Sequence, residues 1–170
     1  MTTKEEFTLR ESIDDGHGGE VSGSRLAIGA DDAGFDLKNI IAAYLDENGV
    51  RYVDVGPLDR DPIDYPDVAK VVAEGIRDDR FDRGILICGT GIGMAIAANK
   101  VHGVRAAQAH DVYSAERARK SNDAQVLTMG ARVIGPELAK SVVGVWLASE
   151  FAGGASARKV AKINSLEEED

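Results

Sequence analysis

The residues best suited to chemistry lie between Arg83 and Lys100, where a short apolar run ends in Cys88 and continues as Gly89, Thr90, Gly91, Ile92 and Gly93. The pattern predicts a buried strand, a tight backbone loop and the start of a helix over 94–99. Free amides and the positive end of a helix then converge on one spot, which favours an anion. A thiol placed there has its thiolate stabilised, so Cys88 is a candidate nucleophile or base; the alternative is a small apolar residue packed at a strand end. The glycine spacing excludes other loops. A Walker loop needs Gly-Lys-Ser/Thr, and Lys100 sits too far down the helix. A dinucleotide fingerprint needs Gly-x-Gly-x-x-Gly, whereas Gly89, Gly91 and Gly93 strictly alternate. A thiol phosphatase would carry arginine where Met94 stands. What remains is a thiol beside a donor-rich loop, suited to an enediolate-like oxyanion.

The elements that must position this loop alternate regularly. Strands are expected at 25–29, 50–55, 85–87, 104–109 and 124–129. Between them lie helical stripes such as Phe35, Leu37, Ile40, Ile41, Tyr44 and Leu45, or Val68, Val71, Val72 and Ile76. Further helices are expected near 112–120, 136–150 and 155–163. The fold class is therefore α/β: a three-layer αβα sandwich with a five-stranded parallel sheet, Rossmann-like. Ligands of such sheets bind beyond the carboxyl ends of the strands. That rim gathers Asp31, Asp32, Cys88, Thr90 and His110. Asp31 either meets the ligand or caps the following helix. His110 is either a proton shuttle or a hydrogen-bonded histidine at a strand end. Arg117, Arg119, Lys120, Arg132, Arg158 and Lys159 are the basic residues available to a phosphate.

Composition bounds the rest. The 170 residues, 44% hydrophobic and 29% charged, fit one globular domain at 25–163, with a disordered tail at 1–24 and an acidic tail at 164–170. A net charge of −9 argues against nucleic acid or an anionic membrane as partner. No signal peptide or membrane-length apolar run is seen, and the one cysteine fits a reducing cytoplasm. No histidine or carboxylate pair has metal-site spacing, so neither metal nor cofactor is expected.

Taken together, Ala30-Asp31-Asp32-Ala33-Gly34-Phe35, Asp64-Tyr65-Pro66, Ile87-Cys88-Gly89-Thr90-Gly91-Ile92-Gly93, Ala97-Ala98-Asn99-Lys100, Ser121-Asn122-Asp123 and Gly130-Ala131-Arg132-Val133-Ile134-Gly135 resemble the ribose-5-phosphate isomerase B / galactose-6-phosphate isomerase family. The resemblance implies a metal-free aldose–ketose isomerase of sugar phosphates. Cys88 would be the base, with Thr90 and the Gly89, Gly91 and Gly93 amides stabilising the enediolate. Asp31 would hydrogen-bond the sugar hydroxyls, Asn122 the substrate, and Arg119 the phosphate. Homodimers or tetramers with shared sites are expected.

The sequence departs from the ribose-5-phosphate pattern at several points. Asp32 replaces a phosphate- or sugar-contacting histidine, and Ser121 replaces the ring-opening histidine. Two late phosphate-binding arginines are replaced by Ala155 and Lys159, and lysine is only a point charge where arginine is a clamp. These changes, with His110-Asp111 and Glu116-Arg117, are similar to a branch acting on tetrulose 4-phosphates such as erythrulose 4-phosphate. Such a substrate cannot close a stable furanose ring, so a ring-opening histidine is dispensable. Arg119 and the run from Ala131 to Leu138 look like the pentose branch, which leaves both substrates open. A non-catalytic sugar-phosphate-binding regulatory module is the alternative from another class, and Cys88 and Thr90 speak against it.

Overall fold

Three uninterrupted apolar runs fix the centre of the molecule. In the computed structural model, which describes residues 10–11 and 25–167, they form β2 (Leu26–Ala30), β4 (Arg83–Cys88) and β6 (Val126–Gly130), buried at every position. That is the signature of parallel strands covered on both faces. Outside them lie β3 (Tyr52–Asp54) and β5 (Ala106–Gln108), which are shorter and partly exposed. A two-residue strand, β1 (Arg10–Glu11), pairs antiparallel with Asp54 and Val53. The sheet order is β1-β3-β2-β4-β6-β5, with β2 to β6 parallel.

Helices α1 (Phe35–Glu47), α4 (Val112–Asn122) and α5 (Pro136–Leu147) cover one face, burying Ile41, Leu45, Ala118, Val142 and Trp146 against Ile28, Ile85, Ile87 and Leu127. Helices α2 (Tyr65–Arg77) and α3 (Ile92–Ala98) cover the other, burying Val68, Val72, Ile76, Met94 and Ala98 against Ala27, Leu86 and Val126. Cys88 points to this second side. A short 3-10 turn (Gly154–Ser156) leads into α6 (Ala157–Ser165), which packs on α4.

The layers and the five parallel strands are those expected from the sequence. Two strands are half their expected length: those expected at 50–55 and 104–109 pair over three residues each, because the sheet continues on one side of them with only the two-residue β1 or with nothing. The antiparallel β1 lies within the stretch read as a tail; residues 1–9, 12–24 and 168–170 are outside the described residues. The segment read as an acidic tail from 164 continues α6 to Ser165, and Glu167 accepts a hydrogen bond from the Gly103 amide at 2.8 Å.

Chain direction across the sheet reverses between β2 and β4: β2 is followed by its neighbour on one side, β3, and β3 by its neighbour on the other, β4. Such a switch point opens a crevice at the carboxyl ends of the two strands. Those ends carry Asp31 and Cys88.

Candidate functional site

Cys88 is the last residue of β4 and only 4% exposed. The next residues turn sharply so that the Gly91 N–H donates to Cys88 Sγ at 3.1 Å. The loop's own backbone thus orients the sulfur and places a donor where a thiolate carries its charge. This turn needs glycine at position 91, whose φ is +79° and where an added Cβ would come within 2.8 Å of the Met129 backbone. Thr90 is exposed, and its Oγ1 accepts from the Ile92 amide at 3.3 Å, at the first turn of α3. The Tyr65 ring covers Gly93 so closely that a Cβ there would meet it at 2.5 Å.

Across the crevice, the Asp31 amide donates to Ile87 O at 3.2 Å, tying the first loop to β4 one residue before the thiol. The Asp31 side chain is buried and its Oδ1 accepts from the Gly34 amide at 2.9 Å, so it does cap the turn into α1. Burial pushes its carboxyl above the usual range, opposed by the Gly34 amide and reinforced by the Asp32 charge. Asp32 is exposed at the same edge.

His110 is half-buried, and its Nε2 accepts from the Gly130 N–H at 2.8 Å. An accepting Nε2 carries no proton, which puts the ring's single proton on Nδ1. Burial holds this imidazole below its ordinary value, against the pull of Asp111. Nε2 is engaged with the backbone, as in the second of the two readings of this residue, a hydrogen-bonded histidine at a strand end.

Two residues expected at the site, Arg119 and Asn122, stand at the far end of the sheet from their own Cys88. Arg119 is 7% exposed, donates to Ala124 O at 3.0 Å and pairs with Asp123 at 3.0 Å and Glu150 at 3.7 Å. Arg83, which opens β4, shares Glu150. The five steps of β4 from Arg83 to Cys88 span about 16 Å, so Arg119 closes the opposite end of the sheet from its own thiol. Within its own chain Arg119 is held by a carbonyl and two carboxylates. Asn122, the exposed last residue of α4, lies at that same end, its carbonyl accepting from Arg105 at 3.2 Å. Lys159 is exposed on α6, and Arg117 is half-buried on α4 beside Glu116.

Three rim residues were not singled out from sequence. Arg132 was one basic residue among several; its guanidinium lies over Gly89, 3.4 Å from where a Cβ would stand, and its charge acts on Asp31. Tyr65 walls the loop at Gly93. Gln108 donates from Nε2 to Thr90 O. The available signals were the position of Arg132 just past a strand end and a lone polar residue closing an apolar strand. Among the described residues, no cluster of three or more His, Cys, Asp or Glu side chains could hold a metal ion, and no helix is long and apolar enough to cross a membrane.

The pattern of the ribose/galactose isomerase family matches residues 26–163. The D-erythrulose-4-phosphate isomerase of Pectobacterium atrosepticum is 58% identical over 147 residues, covering 85% of this chain and 96% of that protein. The ribose-5-phosphate isomerase B of Listeria innocua is 53% identical over 146 residues, covering 86% and 97%. The solved structure of ribose-5-phosphate isomerase B from Clostridium thermocellum aligns with a TM-score of 0.83 at 44% identity, covering 85% of this chain and 98% of that one. With the whole α/β unit matched, from β2 to α6, the chain belongs to the ribose/galactose isomerase family.

Proposed function

We propose that this chain is an aldose–ketose isomerase of a small sugar phosphate, of the ribose 5-phosphate ⇌ ribulose 5-phosphate type, with Cys88 as its base. The observation that carries the reading is the Cys88 sulfur, oriented by Gly91 N–H at the crevice and flanked by Asp31 and an amide-rich loop. The thiolate removes the proton from C2 of the open-chain aldose, the electron pair forms the C1=C2 bond, and O1 takes the negative charge. The Gly89–Gly93 amides and Thr90 hold that oxyanion. The O2 proton passes to O1, the O2 carbonyl forms, and the thiol returns its proton to C1. Asp31 hydrogen-bonds the sugar hydroxyls and Arg132 supplies positive charge at the rim. The need for a reduced thiol fits a cytoplasmic setting.

A tetrulose 4-phosphate is the second reading, supported by Asp32 and Ser121 and by the name of the 58% identical relative. The test is kcat/KM on ribose 5-phosphate and on D- and L-erythrulose 4-phosphate, side by side. Turnover of none of them would overturn the isomerase reading. If position 32 selects the substrate, Asp32→His raises kcat/KM on ribose 5-phosphate by about tenfold, the worth of one charge-assisted hydrogen bond; no change would discard that role.

A second copy of the chain completes the site in this reading. Asn122 stands at the far end of the sheet from its own Cys88, and Ile92 and Ile96, one turn apart on α3, are 52% and 58% exposed. A dimer would cover that face and bring one subunit's Asn122 to the other's thiol. Mixing inactive Cys88→Ala with inactive Asn122→Ala subunits is expected to restore about a quarter of the parental activity, since half of randomly paired dimers carry one intact site. No recovery after subunit exchange would place each site within one chain.

A further inference from the structure

We propose that Gln108 and His110, two residues apart at the carboxyl end of the edge strand β5, are positioning residues that lock the thiol loop and the arginine turn into one unit. The proposal rests on the isomerase reading for its kinetic consequences and on geometry for its existence. Gln108 Nε2 donates to the carbonyl of Thr90, in the loop. His110 Nε2 accepts from the amide of Gly130, at the start of the turn. Loop and turn are in direct backbone contact between these two points, since a Cβ on Gly130 would lie 2.6 Å from Thr90 backbone atoms. They are stitched twice more: Ala131 N–H donates to Cys88 O at 2.8 Å and Arg132 N–H to Gly89 O at 3.1 Å.

The two side chains therefore act on both halves of the site. Through Thr90, Gln108 sets the aim of the loop amides that receive the enediolate oxygen. Through Gly130, His110 sets the turn that carries Arg132 over Gly89. Neither side chain is required to touch the substrate for this. A backbone shift of 1 Å in either segment would misalign thiol and oxyanion donors, the kind of error that costs rate rather than fold.

The arrangement also fixes how it responds to acid. Only neutral imidazole can accept from Gly130, and burial favours that form. The charged neighbour that acts on the ring is Asp111, next in the chain, which caps α4 by accepting from the Ser114 amide; Arg132, on the facing turn, has its guanidinium toward Gly89. The first residues of α4, Val112 to Ser114, and the end of β6 bring no charge. A depressed value means the bond is intact above the ordinary histidine range and lost as pH falls through the lower folded value.

The experiment compares Gln108→Leu, His110→Leu and His110→Gln with the parent, measuring kcat and KM from pH 5 to 8 and the exchange rate of the Gly130 amide. Gln108→Leu and His110→Leu are each expected to lower kcat by about tenfold, the worth of one positioned hydrogen bond. In His110→Gln the amide oxygen still accepts from Gly130 N–H. This variant should recover kcat to within about threefold of the parent and lose the His110 contribution to the acid limb. Gly130 amide protection should fall in His110→Leu and return in His110→Gln. A His110→Gln variant as slow as His110→Leu would overturn the proposal in favour of proton transfer by the ring, and parental rates in all three would remove the brace. If the parent turns over no sugar phosphate, the isomerase reading fails separately, and Gly130 protection alone decides: loss in His110→Leu supports the brace, and unchanged protection ends it.

Discussion

Cys88→Ala is expected to lower kcat by about a thousandfold or more, the contribution of a positioned general base, while leaving the fold intact. The two halves of that expectation have separate physical grounds. The sulfur is oriented by a backbone donor at the mouth of the amide-rich loop, where it can take a proton from carbon without leaving its place. Asp31, the other acid at this crevice, already has one carboxylate oxygen engaged by the Gly34 amide, which suits it to holding hydroxyls rather than to abstracting a proton from carbon. The fold should survive because the substitution removes a single sulfur at a strand end, next to Leu86 and Met94, at a cost of about 1 kcal/mol. KM should change little, since Asp31, Asp32 and Arg132 remain. Deuterium exchange from solvent into C1 or C2 gives a second readout and should vanish together with turnover. Iodoacetamide labelling of the parent at pH 7, slowed by sugar phosphate, would tie the same sulfur to the ligand. Full activity in Cys88→Ala would return the residue to a packing role in its apolar cluster.

What the sequence disclosed follows from which forces are local. The runs Leu26–Ala30, Arg83–Cys88 and Val126–Gly130 were legible because central parallel strands must be apolar on both faces, and no other element of that length reads so. The rule for the carboxyl ends of parallel strands put Asp31 and Cys88 at one rim, and the strand order makes that rim a switch point. The arginines were not legible in the same way. Arg119 and Arg132 are equally basic on paper; the difference is that Arg119 meets Asp123 one helical turn on and a carbonyl at Ala124, while Arg132 is carried by a turn stitched to the thiol loop. Only the packed fold distinguishes a sealed charge from an offered one. His110 shows a third case. Its position at the rim could be read, but its partner is a backbone amide, and no residue type announces which amide lies opposite. The two-residue strand Arg10–Glu11 is too short to carry any periodicity.

Lys38→Ala is expected to cost about 3 to 5 kcal/mol of stability, the penalty for stripping one partner from a buried ion pair. Lys38 points inward from α1 and is 1% exposed, an unusual place for an ammonium group. Its Nζ donates to Asp54 Oδ2 at 2.6 Å and to Pro57 O at 2.7 Å, with the Phe35 ring centroid 5.6 Å away. The other Asp54 oxygen accepts from the Gly56 amide at 2.9 Å, and Gly56 O accepts from Ala30 N–H at 2.9 Å. One ammonium group therefore closes a chain of hydrogen bonds from α1 through β3 and the Gly56 turn to the last residue of β2, directly before Asp31. Alanine would leave the Asp54 carboxylate buried with only an amide for company. Against a typical total of about 5 to 15 kcal/mol, that loss brings the domain close to unfolding at ambient temperature. Urea titration should show it as a fall in midpoint with little change in slope. Removing both charges tells the pair's net worth from the cost of orphaning one of them: Lys38→Met with Asp54→Leu should recover most of the stability. The double variant should still have reduced kcat/KM, because the Gly56 turn loses its two side-chain anchors beside Asp31. A loss below about 1 kcal/mol in Lys38→Ala would mean that water enters and solvates Asp54, and that the turn is held by its backbone bonds alone.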